Sequence, residues 1–130
     1  MDAHLTFKAT GLVMAGGALG AALRFHGTLL TVRLGYGGYP FATLWINVFG
    51  GLAMGVLAAL VLRGQVGEPL RLFLAVGVLG GFTTFSAFSL ELFQMIERGQ
   101  IMAGLGYALL SVCLSVVALA AGLMATRGLT

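Results

Sequence analysis

The sequence predicts an all-α membrane protein with four transmembrane helices, and its composition and hydropathy pattern lead to this fold class. Hydrophobic residues make up 59% of the 130 residues and charged residues 8%, and the mean hydropathy is +1.04. Soluble domains carry about 25% charged residues, so this composition is typical of a membrane-embedded chain. Short segments that contain glycine or proline separate four apolar stretches, each long enough to cross a bilayer. We expect one domain over residues 1–130, with spans at 7–30, 41–62, 70–97 and 101–126.

The same composition argues against several other classes of protein. The net charge of +3 comes from seven Lys and Arg that form no basic run, so nucleic-acid binding is not expected. The single cysteine, Cys113, provides no disulfide or metal-binding framework within one chain. No nucleophile–base pair stands out, so an enzyme is not expected. Asp2 and Arg24 do not fit a cleavable signal peptide, and we expect the first span to be retained.

The first span combines a small-residue motif with a charge. Gly16 and Gly20 form a GxxxG face that suits close helix packing, and Arg24 follows one turn later on the same side. An arginine is costly within a membrane. It therefore either extends to the headgroups or meets a partner inside the helix bundle, and the absence of an acid from this span leaves both interpretations open.

The second span, which begins after Pro40, carries a polar stripe. Thr43, Asn47 and Gly51 are four residues apart and therefore share one helix face. The amide of Asn47 needs hydrogen-bond partners in hydrocarbon. It either links neighbouring helices or lines a polar pathway.

The third span contains the most unusual stretch of the chain. Gly80 and Gly81 are followed by Thr83 and Thr84, and these residues weaken a continuous helix. A broken helix at membrane depth is typical of ion and substrate sites. An unbroken helix that packs closely through a GxxxG motif at Gly77 and Gly81 is the alternative.

Aromatic and hydroxyl side chains follow at helical spacing. They are Phe82, Phe85, Phe88, Ser86 and Ser89. This mixture is a candidate pore wall, because the positive edge of a phenyl ring can face an anion. Glu91 comes next; it lies at the membrane interface or pairs with a cation across a helix contact.

The fourth span carries a second polar stripe and follows a tight turn. Gly99 and Gln100 predict that the third and fourth spans are antiparallel neighbours. Tyr107, Ser111 and Ser115 are again four residues apart, which places a phenol and two hydroxyls on one face.

The distribution of cations predicts how the protein assembles. Four spans place one group of cations on one side of the membrane: Lys8, Arg63, Arg71 and Arg127. Arg33, Arg98 and, if it extends to the headgroups, Arg24 lie on the other side. Because so small a bias does not select one orientation, we expect dual topology and a homodimer with an inverted copy in the lipid bilayer. Four short glycine-rich helices also cannot enclose a route alone.

The chain closely resembles the Fluc-type fluoride channels of bacteria, a family also associated with camphor resistance and chromosome condensation. The most specific match is Gly80-Gly-Phe-Thr-Thr-Phe-Ser-Ala-Phe-Ser-Leu-Glu91. Three further matches extend the resemblance to all four spans: Gly16-Gly-Ala-Leu-Gly-Ala-Ala-Leu-Arg24, Pro40-Phe-Ala-Thr-Leu-Trp-Ile-Asn-Val-Phe-Gly-Gly51 and Gly106-Tyr-Ala-Leu-Leu-Ser111.

The resemblance implies a fold, a function and a cofactor. Fluc-type proteins are antiparallel homodimers in the bacterial inner membrane, and each subunit has four helices with the third broken near its middle. They carry two fluoride pathways and a structural sodium ion at the dimer centre. They export fluoride passively, which lowers its intracellular concentration and toxicity.

The resemblance also implies roles for individual residues. The backbone carbonyls of Gly80 and Thr83 match those that hold sodium. The residues that match the fluoride pathway are Phe85, Phe88, Asn47, Thr43, Thr84, Ser86, Ser89, Tyr107, Ser111 and Ser115. Ala87 stands where many members have threonine, so the hydroxyl track is shorter by one. Arg24 and Glu91 belong to the matched segments without a defined role.

Two other functions are weighed against the channel. A dual-topology multidrug or cation exporter is also a four-helix antiparallel dimer, but it needs a carboxylate near the middle of its first span, where this chain has Arg24 and no acid. A structural membrane subunit would explain the GxxxG faces but not three separate polar stripes.

Overall fold

The computed structural model describes residues 2–128 and is entirely helical apart from its connections. The helices are α1 (Ala3–Arg33), α2 (Phe41–Leu62), α3 (Glu68–Arg71), a π-helix (Leu72–Leu79), α4 (Gly80–Phe82), α5 (Phe85–Glu97) and α6 (Ile101–Gly128). Four segments are long and apolar enough to cross a membrane: Ala3–Arg33, Phe41–Leu62, Glu68–Glu97 and Ile101–Gly128. The prediction of an all-helical chain with four long apolar helices is therefore confirmed.

The helices of the first and last spans extend beyond the apolar stretches predicted from the sequence. α1 covers Ala3–Arg33 rather than residues 7–30, and α6 reaches Gly128 rather than residue 126. The hydroxyls of Thr6 and Thr10 bond back to carbonyls one turn earlier. The helix continues past the apolar stretch into polar residues such as His4 and Arg33, so hydropathy alone underestimates its length.

The third span departs from α-helical geometry twice. A π-helix, Leu72–Leu79, leads into the single turn of α4. Thr83 (φ −80°, ψ 156°) and Thr84 (φ −149°, ψ 125°) then adopt extended backbone. α5 begins at Phe85, and the Thr84 hydroxyl caps it by accepting from the Ala87 amide at 3.2 Å. We refer to the two extended residues as the Thr83–Thr84 segment.

Glycines bring the helix backbones into direct contact at two interfaces. α1 packs along the π-helix and α4, where a Cβ on Gly81 would lie 3.1 Å from the Cα of Gly17. α2 packs along α6, where a Cβ on Gly51 would lie 2.7 Å from the carbonyl oxygen of Ser115. The first interface uses the predicted GxxxG faces at Gly16 and Gly20 and at Gly77 and Gly81, and the second uses Gly51 and Gly55 on α2. A Cβ at any of these glycines would collide with the opposing backbone.

Many of the large apolar side chains point outward rather than into the bundle. Phe25, Leu62, Phe93 and Leu109 are each more than half exposed, one on each of the four spans. The interior contains small residues, a few large ones such as Ile46 and Tyr107, and some polar groups that include the hydroxyls of Thr43 and Ser111. This distribution suits a lipid environment and leaves polar groups near the centre of the fold.

Candidate functional site

Asn47 holds the Thr83–Thr84 segment from a neighbouring span. Its Oδ1 accepts from the backbone N–H of Thr84 at 2.8 Å, and its Nδ2 donates to the carbonyl oxygen of Thr84 at 2.9 Å. The side chain thus satisfies both backbone groups of one extended residue, which lack helical partners. The second N–H of the Asn47 amide is left for another acceptor. Asn47 therefore links two helices and also borders the cleft beside them.

A cleft of about 370 Å³ lies between α2, the Thr83–Thr84 segment, α5 and α6. Its lining contains six of the predicted pathway residues together with Thr83: Asn47, Thr84, Phe85, Phe88, Ser111 and Ser115. The remaining lining is mostly glycine and aliphatic: Gly50, Gly51, Met54, Val112, Val116 and Leu119. The polar stripes of α2 and α6 therefore meet at one surface.

Two serines of this cleft have unused hydrogen-bonding capacity. Among the residues that the structure describes, Ser111 Oγ and Ser115 Oγ are buried and have no hydrogen-bond partner. Serines in membrane helices often bond back to their own backbone, as Ser89 does to the carbonyl of Phe85 at 2.9 Å. Each unpaired hydroxyl has one proton to donate. The cleft therefore provides donors without a protein acceptor.

Phe85 and Phe88 form the aromatic part of the cleft. Their ring centroids are 5.6 Å apart. Phe88 is buried, whereas Phe85 is 77% exposed within one chain. Phe82, which follows the same sequence spacing, instead packs near Trp45 and Phe49. The extended residues rotate α5 relative to α4, so the three rings do not share a face.

Beyond Phe88, a carboxylate connects three spans. The ring of Phe88 lies 5.2 Å from that of Tyr107. Tyr107 donates its hydroxyl proton to Glu91 Oε2 at 2.7 Å, and Thr43 donates to Glu91 Oε1 at 2.8 Å. Glu91 is half-buried, while Thr43 and Tyr107 are buried. The sequence left Glu91 between an interfacial position and a cation partner; the structure places it between two hydroxyls.

Ser86 and Ser89 are not brought into the cleft. Both are exposed on α5. Ser86 Oγ lies 3.4 Å from Thr84 Oγ1, and Ser89 is bonded to the backbone of its own helix. Within one chain these two hydroxyls therefore face outward.

The carbonyl oxygens around the Thr83–Thr84 segment have different partners. Gly81 O accepts from Arg24 Nε at 3.2 Å, so Arg24 has a partner inside the bundle. Leu79 O accepts from both the amide and the hydroxyl of Thr83. The carbonyls of Gly80 and Thr83 accept no hydrogen bond from the part of the chain that the structure describes.

The partners of two charged residues could not be identified from the sequence. The Glu91 carboxylate meets hydroxyls 48 and 16 residues away, and Arg24 meets a carbonyl 57 residues away. The only sequence signal was the cost of placing a charge in a membrane helix, which requires some partner. That cost does not specify which partner.

Comparison with known proteins places the chain in a family. The family described as CrcB-like protein, Camphor Resistance (CrcB), matches residues 11–123. A fluoride-specific ion channel FluC from Paracoccus denitrificans is 52% identical over 117 residues, which cover 90% of this chain and 93% of the relative. The protein of the same name from Novosphingobium aromaticivorans is 52% identical over 122 residues, covering 92% and 97% of the two chains.

A third relative is more distant in sequence and equally complete in coverage. The fluoride-specific ion channel FluC of Rhizobium meliloti is 44% identical over 119 residues, which cover 91% of this chain and 95% of that protein. These relatives are named as ion channels, not as enzymes. The match extends over all four spans, and the chain is a multi-pass membrane protein of the CrcB family.

Proposed function

We propose that this protein is a fluoride-selective channel that exports fluoride passively across the bacterial inner membrane. The observation that carries the proposal is the cleft in which Asn47, Ser111 and Ser115 present unused N–H and O–H donors beside Phe85 and Phe88. Fluoride is small and strongly hydrated, so a route through the membrane must replace the donors of water. Amide, hydroxyl and ring-edge groups do so without a titratable charge.

The two helix ends at the Thr83–Thr84 segment carry opposite partial charges and therefore favour ions of opposite sign. We propose that this segment breaks the third membrane helix. α5 begins at Phe85, so its partially positive N-terminal end lies at the cleft. α4 ends at Phe82, so its carbonyls form a partially negative end. Broken membrane helices commonly bind ions at such ends.

The carbonyls of Gly80 and Thr83 fit a structural sodium ion. Both oxygens lack hydrogen-bond partners within the described residues, and sodium, a hard cation, is well suited to carbonyl ligands. Two carbonyls from each of two subunits would provide four ligands at a dimer centre. A sodium ion held there adds a positive field that attracts anions.

The exposure of the cleft supports a second subunit. Phe85, a wall residue of the proposed route, is 77% exposed within one chain. A route lined on one side by a single subunit is not sealed from lipid. We propose that an inverted copy closes it, giving an antiparallel dual-topology homodimer with two pathways. Ser86 and Ser89, which face outward from α5, then border the closed route.

Fluoride efflux from liposomes tests the function. Purified protein is reconstituted into vesicles loaded with potassium fluoride, and efflux is followed with a fluoride electrode after valinomycin is added. Fluoride should leave much faster than from protein-free vesicles, and chloride should be largely retained. Fluoride efflux no faster than in protein-free vesicles would overturn the proposal.

Variants of the cleft test its residues. Asn47→Asp keeps the acceptor for the Thr84 amide but removes the N–H donors and adds a negative charge. Phe85→Leu removes one ring. Each should lower fluoride efflux at least about tenfold, the effect of about 1.4 kcal/mol, while the dimer persists. Phe93→Leu, on the exposed face of the same helix, is the matched control. Unchanged efflux in a cleft variant would remove that residue from the pathway.

Cation replacement tests the sodium site. Fluoride efflux and thermal stability are compared in sodium chloride and in N-methyl-D-glucamine chloride at equal ionic strength. Both should fall when the larger cation replaces sodium, because it cannot fit between backbone carbonyls. Indifference to the exchange would argue against a sodium ion at Gly80 and Thr83.

A further inference from the structure

We propose that Arg24 is a positioning residue for the sodium site. By donating from Nε to the Gly81 carbonyl, it holds the end of α4 so that the Gly80 and Thr83 carbonyls remain for the ion. The proposal rests on the proposed function, because it names a determinant of that sodium site. It begins from the 3.2 Å hydrogen bond between two residues that are 57 positions apart.

Backbone contact between α1 and α4 makes this hydrogen bond possible. A Cβ on Gly81 would lie 3.1 Å from the Cα of Gly17 and 3.2 Å from the amide nitrogen of Ala21. A Cβ on Gly20 would lie 2.8 Å from the amide nitrogen of Phe82. Arg24 follows Gly20 by one helical turn on the same face. Its side chain therefore lies beside the carbonyl end of α4.

The hydrogen bond changes which carbonyls are free to bind a cation. The carbonyls of Gly80, Gly81, Phe82 and Thr83 have no helical partner near the Thr83–Thr84 segment. Arg24 occupies that of Gly81, and the other three, which include the two proposed sodium ligands, accept no hydrogen bond within the described residues. An unpaired carbonyl is costly at membrane depth. Without Arg24, the Gly81 carbonyl would compete for the ion or rearrange the peptides beside it.

The charge of Arg24 gives a second, separable effect. Arg24 is half-buried, and no carboxylate of residues 2–128 lies within salt-bridge distance of it. Its guanidinium lies at the carbonyl end of a helix, where a cation is favoured. A role that depended only on this charge would be retained by lysine. A role that depends on the Nε–H would not, because the lysine nitrogen is one bond farther from the backbone.

Three substitutions separate the hydrogen bond from the charge. Arg24→Gln places an N–H donor at the same number of bonds from Cα as Nε and removes the charge. Arg24→Lys keeps the charge and moves the donor. Arg24→Met places a methyl group at that position and has neither donor nor charge. Arg33→Gln, at the exposed end of the same helix, is the control for loss of a cation.

The test measures how sodium stabilises the purified dimer against heat, with N-methyl-D-glucamine maintaining the ionic strength. Arg24→Met should raise the sodium concentration for half-maximal stabilisation about tenfold or more, since a hydrogen bond to a charged group is lost. Arg24→Lys should behave like Arg24→Met. Arg24→Gln and Arg33→Gln should stay within about threefold of the wild type, because each retains the donor beside Gly81.

Hydrogen–deuterium exchange provides a readout that needs neither sodium nor fluoride transport. The peptide that contains residues 83–88 should exchange faster in Arg24→Met than in the wild type, and Arg24→Gln should restore its protection. Equal exchange in all variants would overturn the positioning role. Retention of sodium affinity by Arg24→Lys together with its loss in Arg24→Gln would also overturn it, in favour of a charge effect.

The wild-type measurements distinguish failure of this proposal from failure of the function. A wild type without fluoride efflux overturns the proposed function, whereas one that conducts fluoride without any response to sodium overturns the sodium site and the role of Arg24 with it. If the wild type shows both fluoride efflux and a sodium response, but the Arg24 variants do not differ in sodium affinity or in hydrogen–deuterium exchange, only the role of Arg24 is overturned. If Arg24→Met does not assemble, the comparison of Arg24→Gln with Arg24→Lys decides between hydrogen bond and charge.

Discussion

The polar side chains of this protein fall into two groups according to whether their hydrogen bonds are already made. Thr43 and Tyr107 donate to Glu91, and Thr83 donates to the carbonyl of Leu79. Their protons are committed within one subunit. Ser111 and Ser115 have no partner among the described residues. A buried donor without a partner lowers the stability of a fold. A role in donating hydrogen bonds to a transported anion would explain why both hydroxyls are present.

Replacement of either serine should therefore separate transport from stability. Ser111→Ala and Ser115→Ala should lower fluoride efflux, because a donor is removed from the cleft. The same changes should leave the thermal midpoint unchanged or raise it, since an unpaired buried hydroxyl costs about 1–3 kcal/mol. Efflux and thermal unfolding of the same preparation provide the measurement.

Thr126→Ala is the matched control for these serines. Thr126 lies on the same helix, is buried, and donates to the carbonyl of Gly122 at 2.7 Å. Its removal should not change fluoride efflux. A serine variant that lowers stability without affecting efflux would show that the hydroxyl bonds to another part of the protein and not to permeating fluoride.

At the scale of helices, glycines determine how closely the spans approach. Gly55 faces the backbone of Leu119, and Gly122 faces the backbone of Leu52. These contacts leave no room for a Cβ. α2 and α6 are consequently held at a distance set by backbone atoms, which fixes the width of the cleft beside Gly51. A change in this interface should therefore alter both stability and the cleft.

Gly55→Ala should destabilise the protein by about 1–3 kcal/mol, because the added methyl group forces α2 and α6 apart. Gly106→Ala is the control: it lies within α6, and a Cβ at that position meets no atom within 4 Å. That change should be neutral or slightly stabilising, since alanine is a better helix former than glycine. Thermal unfolding in detergent measures both variants. Equal midpoints would contradict the close packing at Gly55.

The same elements explain what the sequence could predict. Stripes such as Thr43 and Asn47 are visible because their spacing depends only on helix geometry. Whether a helix continues through Gly80 and Thr84 could not be decided locally, because the partners of the extended backbone come from another span. Asn47 provides two of them. The rotation of each helix about its axis, which brings Glu91 to Tyr107, depends on packing and is not encoded in any single spacing.

At the scale of the whole molecule, the cleft proposed as the fluoride route is open on one side of the single chain. The lining of the cleft comes from three spans, yet its aromatic wall at Phe85 is open. Arg63 and Arg71 lie at one end of the spans, and Arg33 and Arg98 at the other. This near balance of cations is the basis for the proposed dual topology, because orientation follows the bias of Lys and Arg in short loops.

Changing that balance tests the inverted dimer. Gln65→Lys with Gly67→Lys adds two cations to one set of loops, and Gly38→Lys with Gln100→Lys adds two to the other; all four positions are exposed. Each double variant should insert in a single orientation, which terminal reporter fusions can establish. Expressed alone, each should lack fluoride efflux, because no inverted partner is present. Expressed together, the two should recover it. A double variant that inserts in one orientation yet retains full efflux alone would exclude an antiparallel dimer as the conducting form.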